Sequence, residues 1–124
     1  MRDRYVILKH QTGQDLHWDL MLEREGTLKT FRLRKPPKSL LEGDRTPAEA
    51  IQDHEPRFLT YEGPVQGGKG SVAREDQGDY ETLSRDGEQW EIKLRGSLLR
   101  GTFQMKREGQ AGWSFVRRKH GGSL

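Results

Sequence analysis

The chain contains no cysteine. Disulfides, thiolate metal sites and a cysteine nucleophile are therefore excluded, and an intracellular, cytoplasmic setting is expected. Apolar residues are also scarce: 31% of the chain, against 33% charged, with a mean hydropathy of −1.00. Soluble domains average about 45–50% apolar counted with glycine, and the 15 glycines only partly close that gap. Such a chain cannot fill a large two-layer core, but it can fill a small barrel or a thin sandwich. No apolar run approaches the roughly 20 residues of a membrane helix. The run Tyr5–Leu8 is too short for the apolar region of a signal peptide. A strong charge of one sign is missing too. Lys and Arg total 22 against 19 Asp and Glu, for a net charge of +3 and a pI near 9.3. That balance permits a polyanionic partner without requiring one.

The 124 residues fit one domain, expected over residues 1–118 with a disordered tail at 119–124 and a monomeric state. The dominant hydropathy period is two, the signature of strands. In His17–Glu25, Trp18, Leu20 and Leu22 face one way, while His17, Asp19, Met21 and Glu23 face the other. Glu25-Gly26 turns this run into Thr27–Lys35, which predicts a hairpin. Pro36-Pro37 ends it, and Lys38–Thr46 reads as a polar loop. Thr46-Pro47-Ala48-Glu49 fits a helix N-cap, leaving Ala48–Asp53 open between short helix and strand. Phe58–Tyr61 is apolar, and four glycines mark residues 63–70 as a loop. Ser71–Arg74, Asp79–Leu83, Gln89–Arg95, Leu98–Arg107 and Gly112–Arg118 are further strand candidates. About eight short strands and little helix predict an all-β fold, a single antiparallel β-barrel. Closure hides the sheet edges. Trp18, Trp90 and Trp113 read as barrel filling.

Three of the four histidines, His10, His17 and His54, lie in the first 54 residues, and His120 sits in the tail. His17 and Asp19 project from one strand face. His10 ends the preceding strand, and the Gln11–Leu16 loop can return it beside them. Two imidazoles and a carboxylate suit Mn²⁺, Fe²⁺ or Zn²⁺ with open coordination positions. His-x-Asp spacing alone fits a solvated strand face equally well. His54, in Asp53-His54-Glu55-Pro56, reads as a loop histidine or, beside such a cluster, as a phosphate ligand and general acid. His17, Asp19 and His54 also fit the facial triad of iron(II) oxygenases. The chain is short for such an enzyme, however, and nothing obvious anchors a 2-oxoacid.

Lys9-His10, Leu16-His17-Trp18-Asp19-Leu20, Leu22-Glu23, Gly26, Leu28-Lys29 and Lys35-Pro36-Pro37 resemble the opening of the DNA ligase D 3′-phosphoesterase domain. The resemblance continues through Gln52-Asp53-His54 and Tyr61-Glu62-Gly63. Weaker matches follow at Ile92–Gly96, Leu99-Arg100-Gly101 and Trp113-Ser114-Phe115, so nearly the whole chain is covered. It implies a β-barrel with its active site in an outer groove. It also implies a manganese-dependent enzyme, zinc being the other candidate, that removes a 3′-ribonucleotide or 3′-phosphate from nucleic-acid ends. By position, His10, His17 and Asp19 match the metal ligands, and His54 matches the phosphate-contacting histidine. His54 and Asp19 are thus the candidate catalytic residues. The implied partners are nucleic-acid 3′ ends and, since the chain has no polymerase or ligase portion, a separate DNA ligase.

Two positions depart from the family pattern. Met21 stands where the family has arginine, and Phe58 where it has tyrosine. A thioether cannot mimic the charged fork that arginine offers phosphate oxygens. Arg32, on the paired strand, is the candidate replacement, because the proposed turn places Met21 opposite Phe31 or Arg32. Tyr61 would face away from Phe58 on a straight strand. Lys69, Arg57 and Arg74 are candidates for a nucleic-acid backbone path, with scattered surface charge as the alternative.

Overall fold

The computed structural model describes residues 2–43 and 45–118. The strands run β1 (Asp3–Thr12), β2 (Asp15–Arg24), β3 (Thr27–Leu33), β4 (Thr46–His54), β5 (Gly63–Pro64), β6 (Ser71–Arg85), β7 (Gln89–Gly96), β8 (Arg100–Arg107) and β9 (Gly112–Arg117). Two 3₁₀ helices, η1 (Pro37–Glu42) and η2 (Pro56–Leu59), interrupt them. The sheet order is β1-β2-β3-β4-β9-β8-β7-β6-β5, and β1 also pairs with β6. That pairing closes eight antiparallel strands into a barrel, as the hydropathy period predicts, with β5 as a short flank on β6. The expected disordered tail, residues 119–124, and His120 lie outside the described residues.

The barrel holds two apolar clusters, one on each side of its wall. Inside, Tyr5, Ile7, Trp18, Leu20, Leu22, Phe31, Trp90 and Phe103 belong to the main core, with Trp113 partly buried against it. The tryptophan reading therefore holds for all three. Outside, Val6, Leu8, Met21, Leu28, Leu59 and Val72 form a second cluster, and Phe58, Tyr61 and Val65 pack on it. The pleat explains this division: alternate residues of β1 and β2 go to opposite faces.

Several local readings differ from the structure. The Gln11–Leu16 loop is shorter than expected: β1 runs to Thr12 and β2 starts at Asp15, with Gly13 at φ 54° taking the turn. Lys38–Thr46 is not simply a loop. Pro36-Pro37 starts η1, and Leu40, fully buried, joins the main core. Ala48–Asp53 is strand, not helix: β4 pairs with β3 along one edge and with β9 along the other. Ladders on both edges outweigh a local cap, which contributes only about 1 kcal/mol. Ser71–Arg74 and Asp79–Leu83 are parts of one 15-residue strand. The polar stretch between them conceals Asp76, which is buried. Its carboxylate accepts from the Tyr5 hydroxyl (2.6 Å) and from the backbone N–H groups of Leu98 (2.8 Å) and Leu99 (3.1 Å).

Candidate functional site

The β1–β2 hairpin sets the site. His10 lies directly opposite His17, and Leu8 opposite Asp19. With Trp18, Leu20 and Leu22 committed to the interior, the pleat sends Asp15, His17 and Asp19 to the outer face. His17 and Asp19 are nevertheless buried. The His10 and His17 rings meet edge-on with centroids 4.7 Å apart. One potential ligand atom each from His10, His17 and Asp19 lies within 4.8 Å of the others. His17 Nδ1 is 3.1 Å from Asp19 Oδ1, and its Nε2 is 3.6 Å from Asp15 Oδ2. Arg32 Nε donates to Asp19 Oδ1 at 3.2 Å.

Burial and neighbouring charges set the protonation of the cluster. Burial holds the His17 pKa below its ordinary value; Asp19 and Asp15 pull upward, while Arg32 and His10 reinforce the lowering. His17 is therefore a neutral imidazole at neutral pH, the form that ligates metal. His10 Nε2 lies 2.6 Å from the Lys69 carbonyl oxygen. That oxygen only accepts, so the Nε2 proton is fixed and Nδ1 keeps its lone pair. Thr12 Oγ1 donates to the same carbonyl at 2.9 Å. The donor set, two imidazoles and one carboxylate close together, fits a divalent ion such as Mn²⁺ or Zn²⁺.

His54 reaches the same outer face by another route. It pairs with Leu28 at the end of β4. Its Nδ1 lies 3.0 Å from the Gln52 carbonyl oxygen and 3.1 Å from Thr30 Oγ1. The Thr30 hydroxyl spends its proton on the Leu28 carbonyl. Nδ1 is thus the donor, and Nε2 remains for a substrate. His10, rather than His54, joins His17 and Asp19, so the facial-triad combination is not the one assembled. The role of Thr30 depends on cross-strand register and left no mark in the sequence. Asp15, by contrast, sits two residues before His17, and the same period that placed Asp19 could have found it.

The two family departures have distinct environments. Met21 lies opposite Thr30, not Phe31 or Arg32, one residue from the expected register because the Glu25-Gly26 turn is tight, with both residues at positive φ. Met21 is buried in the outer cluster that also contains Leu59. Arg32 instead lies opposite Asp19. Phe58 sits in η2, edge-on to His54 at 5.7 Å. Because η2 is helical, Tyr61 does not face away but lies 5.9 Å from Phe58. Its hydroxyl donates to the Pro64 carbonyl, so it does not replace the missing phenol. Of the expected backbone path, Arg57 pairs with Glu55 and Arg74 with Glu62. Lys69 meets the site through its carbonyl.

The profile of the DNA ligase D 3′-phosphoesterase domain matches residues 8–107. The chain belongs to this family. It is similar to the multifunctional non-homologous end joining protein LigD of Pseudomonas aeruginosa, at 32% identity over 130 residues, covering 95% of this chain and 15% of that protein. It is also similar to the protein of the same name from Mycolicibacterium smegmatis, at 35% identity over 85 residues, covering 64% of this chain and 11% of that protein. The chain thus spans only a small part of the length of these relatives. The matched phosphoesterase-domain span contains His10, His17, Asp19, Arg32, His54, Arg57, Lys69 and Arg74. No helix among the described residues is long and apolar enough to cross a membrane.

Proposed function

We propose that this domain is a metal-dependent 3′-end phosphoesterase that removes a 3′-terminal ribonucleotide or a 3′-phosphate from nucleic acid before ligation. The observation that supports it best is the convergence of His10, His17 and Asp19 on one outer face. In this reading those three residues hold Mn²⁺, with Zn²⁺ as the alternative. A bound divalent ion supplies Lewis-acid polarisation of a phosphoryl oxygen and neutralises developing charge. Arg32, anchored on Asp19 through Nε, offers its remaining N–H groups to the phosphate. Water adds to phosphorus and gives up a proton to solvent as the bond to the leaving oxygen breaks; His54 acts from its doubly protonated form, with Nδ1–H held by the Gln52 carbonyl, and Nε2 passes its proton to the leaving oxygen. The processed end then passes to a DNA ligase.

Met21 and Phe58 remove two donors, and each such loss lowers a rate by roughly 10²–10³. Turnover is accordingly slow unless Arg32 makes up part of the difference. The same two residues favour a second reading, a domain that binds ends without cleaving them. A primer assay separates the two. Labelled primers ending in a 3′-phosphate or a 3′-ribonucleotide are incubated with Mn²⁺ or with chelator, beside His17→Ala. Metal-dependent trimming that disappears in the variant supports the enzyme. Intact primers at high protein concentration, with end binding retained, support the binding domain.

A further inference from the structure

A β-bulge re-aims the end of β4. Thr30 pairs with Ile51, but Leu28, two residues back along β3, pairs with His54 and not with Asp53. One extra residue on β4 therefore brings His54 to the outer face that Leu28 and Thr30 share. Asp53, which an unbroken ladder would place there, pairs with Lys29 at 3.0 Å instead. We propose that Thr30 is a positioning residue for His54: together with the Gln52 carbonyl, its hydroxyl oxygen holds a proton on Nδ1, so that the proton given to the substrate is the one on Nε2. The proposal rests on the phosphoesterase reading for the use of that proton, while the holder itself stands on geometry alone.

Three observations support it. First, Thr30 is buried and lies opposite Met21 of the outer apolar cluster. Valine would fill the same space, and a hydroxyl there is costly unless it is bonded. Second, its bonding has a direction. The hydroxyl proton goes to the Leu28 carbonyl at 3.0 Å, so toward His54 Nδ1, at 3.1 Å, the oxygen only accepts. The Gln52 carbonyl, 3.0 Å from the same nitrogen, only accepts as well. A neutral histidine side chain in water keeps its proton mainly on Nε2, and two acceptors converging on Nδ1 reverse that choice. Third, the ring is held from other sides. Phe58 meets it edge-on at 5.7 Å, a contact that does not need the family hydroxyl. The Thr27 hydroxyl ties the His54 carbonyl to β3 at 3.2 Å. An imidazolium that gives up its Nε2 proton becomes the Nδ1–H tautomer. The holder favours that form in advance, and the ring has no need to turn between cycles.

The test reads the tautomer directly. The chain is labelled with ¹⁵N-histidine, and long-range ¹H–¹⁵N spectra are taken in EDTA above about pH 8, where ordinary histidines are neutral. Comparison with His54→Gln assigns the His54 signals. The parent should show Nδ1 protonated and Nε2 bare. Thr30→Val, which keeps the shape and loses the oxygen, should show a mixture with the Nε2–H form, and Thr30→Ser should keep the parent pattern. Trimming of 3′-ribonucleotide primers with Mn²⁺ should follow the same order. Thr30→Val should lower kcat by about 10–100-fold with KM within about twofold, and Thr30→Ser should stay within a few-fold of the parent. Far-UV circular dichroism checks that the variants are folded; should Thr30→Val fail to fold, the parent and Thr30→Ser spectra still decide. An Nε2–H tautomer in the parent, a changed tautomer in Thr30→Ser, or a Thr30→Val spectrum identical to the parent's would each overturn the proposal. Neither metal nor turnover enters the spectra, so intact primers beside the expected tautomers would count against the phosphoesterase reading and for the holder.

Discussion

Restoring the family arginine by Met21→Arg should break the domain rather than revive it. Met21 is 2% exposed and packs among Val6, Leu8, Leu28, Leu59 and Val72. Losing its burial removes about 1.5–3 kcal/mol. A guanidinium in its place finds no unclaimed carboxylate nearby: two residues away along β2, Asp19 is bound by Arg32 and Glu23 by Arg4. Removing one partner of a buried ion pair, which likewise leaves a charge unpaired, costs about 3–5 kcal/mol. The combined loss of about 5 kcal/mol equals the whole stability of a marginal domain. At about 3–5 °C per kcal/mol for this size, the melting temperature should fall by about 15–25 °C. Thermal unfolding followed by far-UV circular dichroism measures this directly, with Met21→Leu as a control that should lose under about 1.5 kcal/mol. The primer assay on the same samples should show no gain. The reasoning is refuted if Met21→Arg melts within a few degrees of the parent and trims primers a hundredfold faster. The outer cluster would then be open enough to take a charge.

Other consequences follow from the buried polar groups. Tyr5→Phe deletes the 2.6 Å bond to Asp76 and should cost about 1.5–3 kcal/mol, the range for a hydrogen bond to a charged group, measured by urea unfolding. Burial, and then the Asp76 bond, raises the Tyr5 pKa, so its share of stability is full below about pH 10 and is lost above it; Tyr5→Phe should flatten that alkaline loss. Gly96→Ala should unfold the protein more severely than Tyr5→Phe, because an added methyl would overlap the Tyr5 hydroxyl and press on the Asp76 carboxylate; soluble yield and melting temperature check it. The lowered His17 pKa acts on the acid side. Its contribution is complete above the unfolded value of about 6.5 and is lost as pH falls toward the folded value. In EDTA the melting temperature should therefore drop below pH 6.5, and His17→Asn should reduce that dependence.

Much of the fold could be read from β2 alone. Its strict alternation separated Trp18, Leu20 and Leu22 from His17 and Asp19, and the structure keeps that separation. What could not be read depends on partners distant in sequence. Thr46-Pro47 carries a sound helix-start signal, yet pairing with Phe115 and Ser114 decides its conformation. The polar stretch around Asp76 reads as a break only until Tyr5 and the Leu98–Leu99 backbone are brought to it. On a straight strand Tyr61 would face away from Phe58. Their side chains pack on the outer cluster from a 3₁₀ turn instead. At the site, residue types and spacing were legible, but the donors that orient them, the Lys69 carbonyl and Thr30, were not. Backbone groups and cross-strand register carry no composition signal.

The two apolar clusters share a wall but not residues. Along β2, one set of alternate positions maintains the barrel, and the other set equips or covers the site. Conservative changes in the second set therefore leave the packing of the first in place, and their free energies should add rather than couple across the wall. Chemistry on the outside can then be lost or redirected while the barrel stays intact, provided that the new side chain still fills the outer cluster as Met21 does. Met21 and Phe58 are substitutions of that kind: an altered reactive surface on an unaltered container.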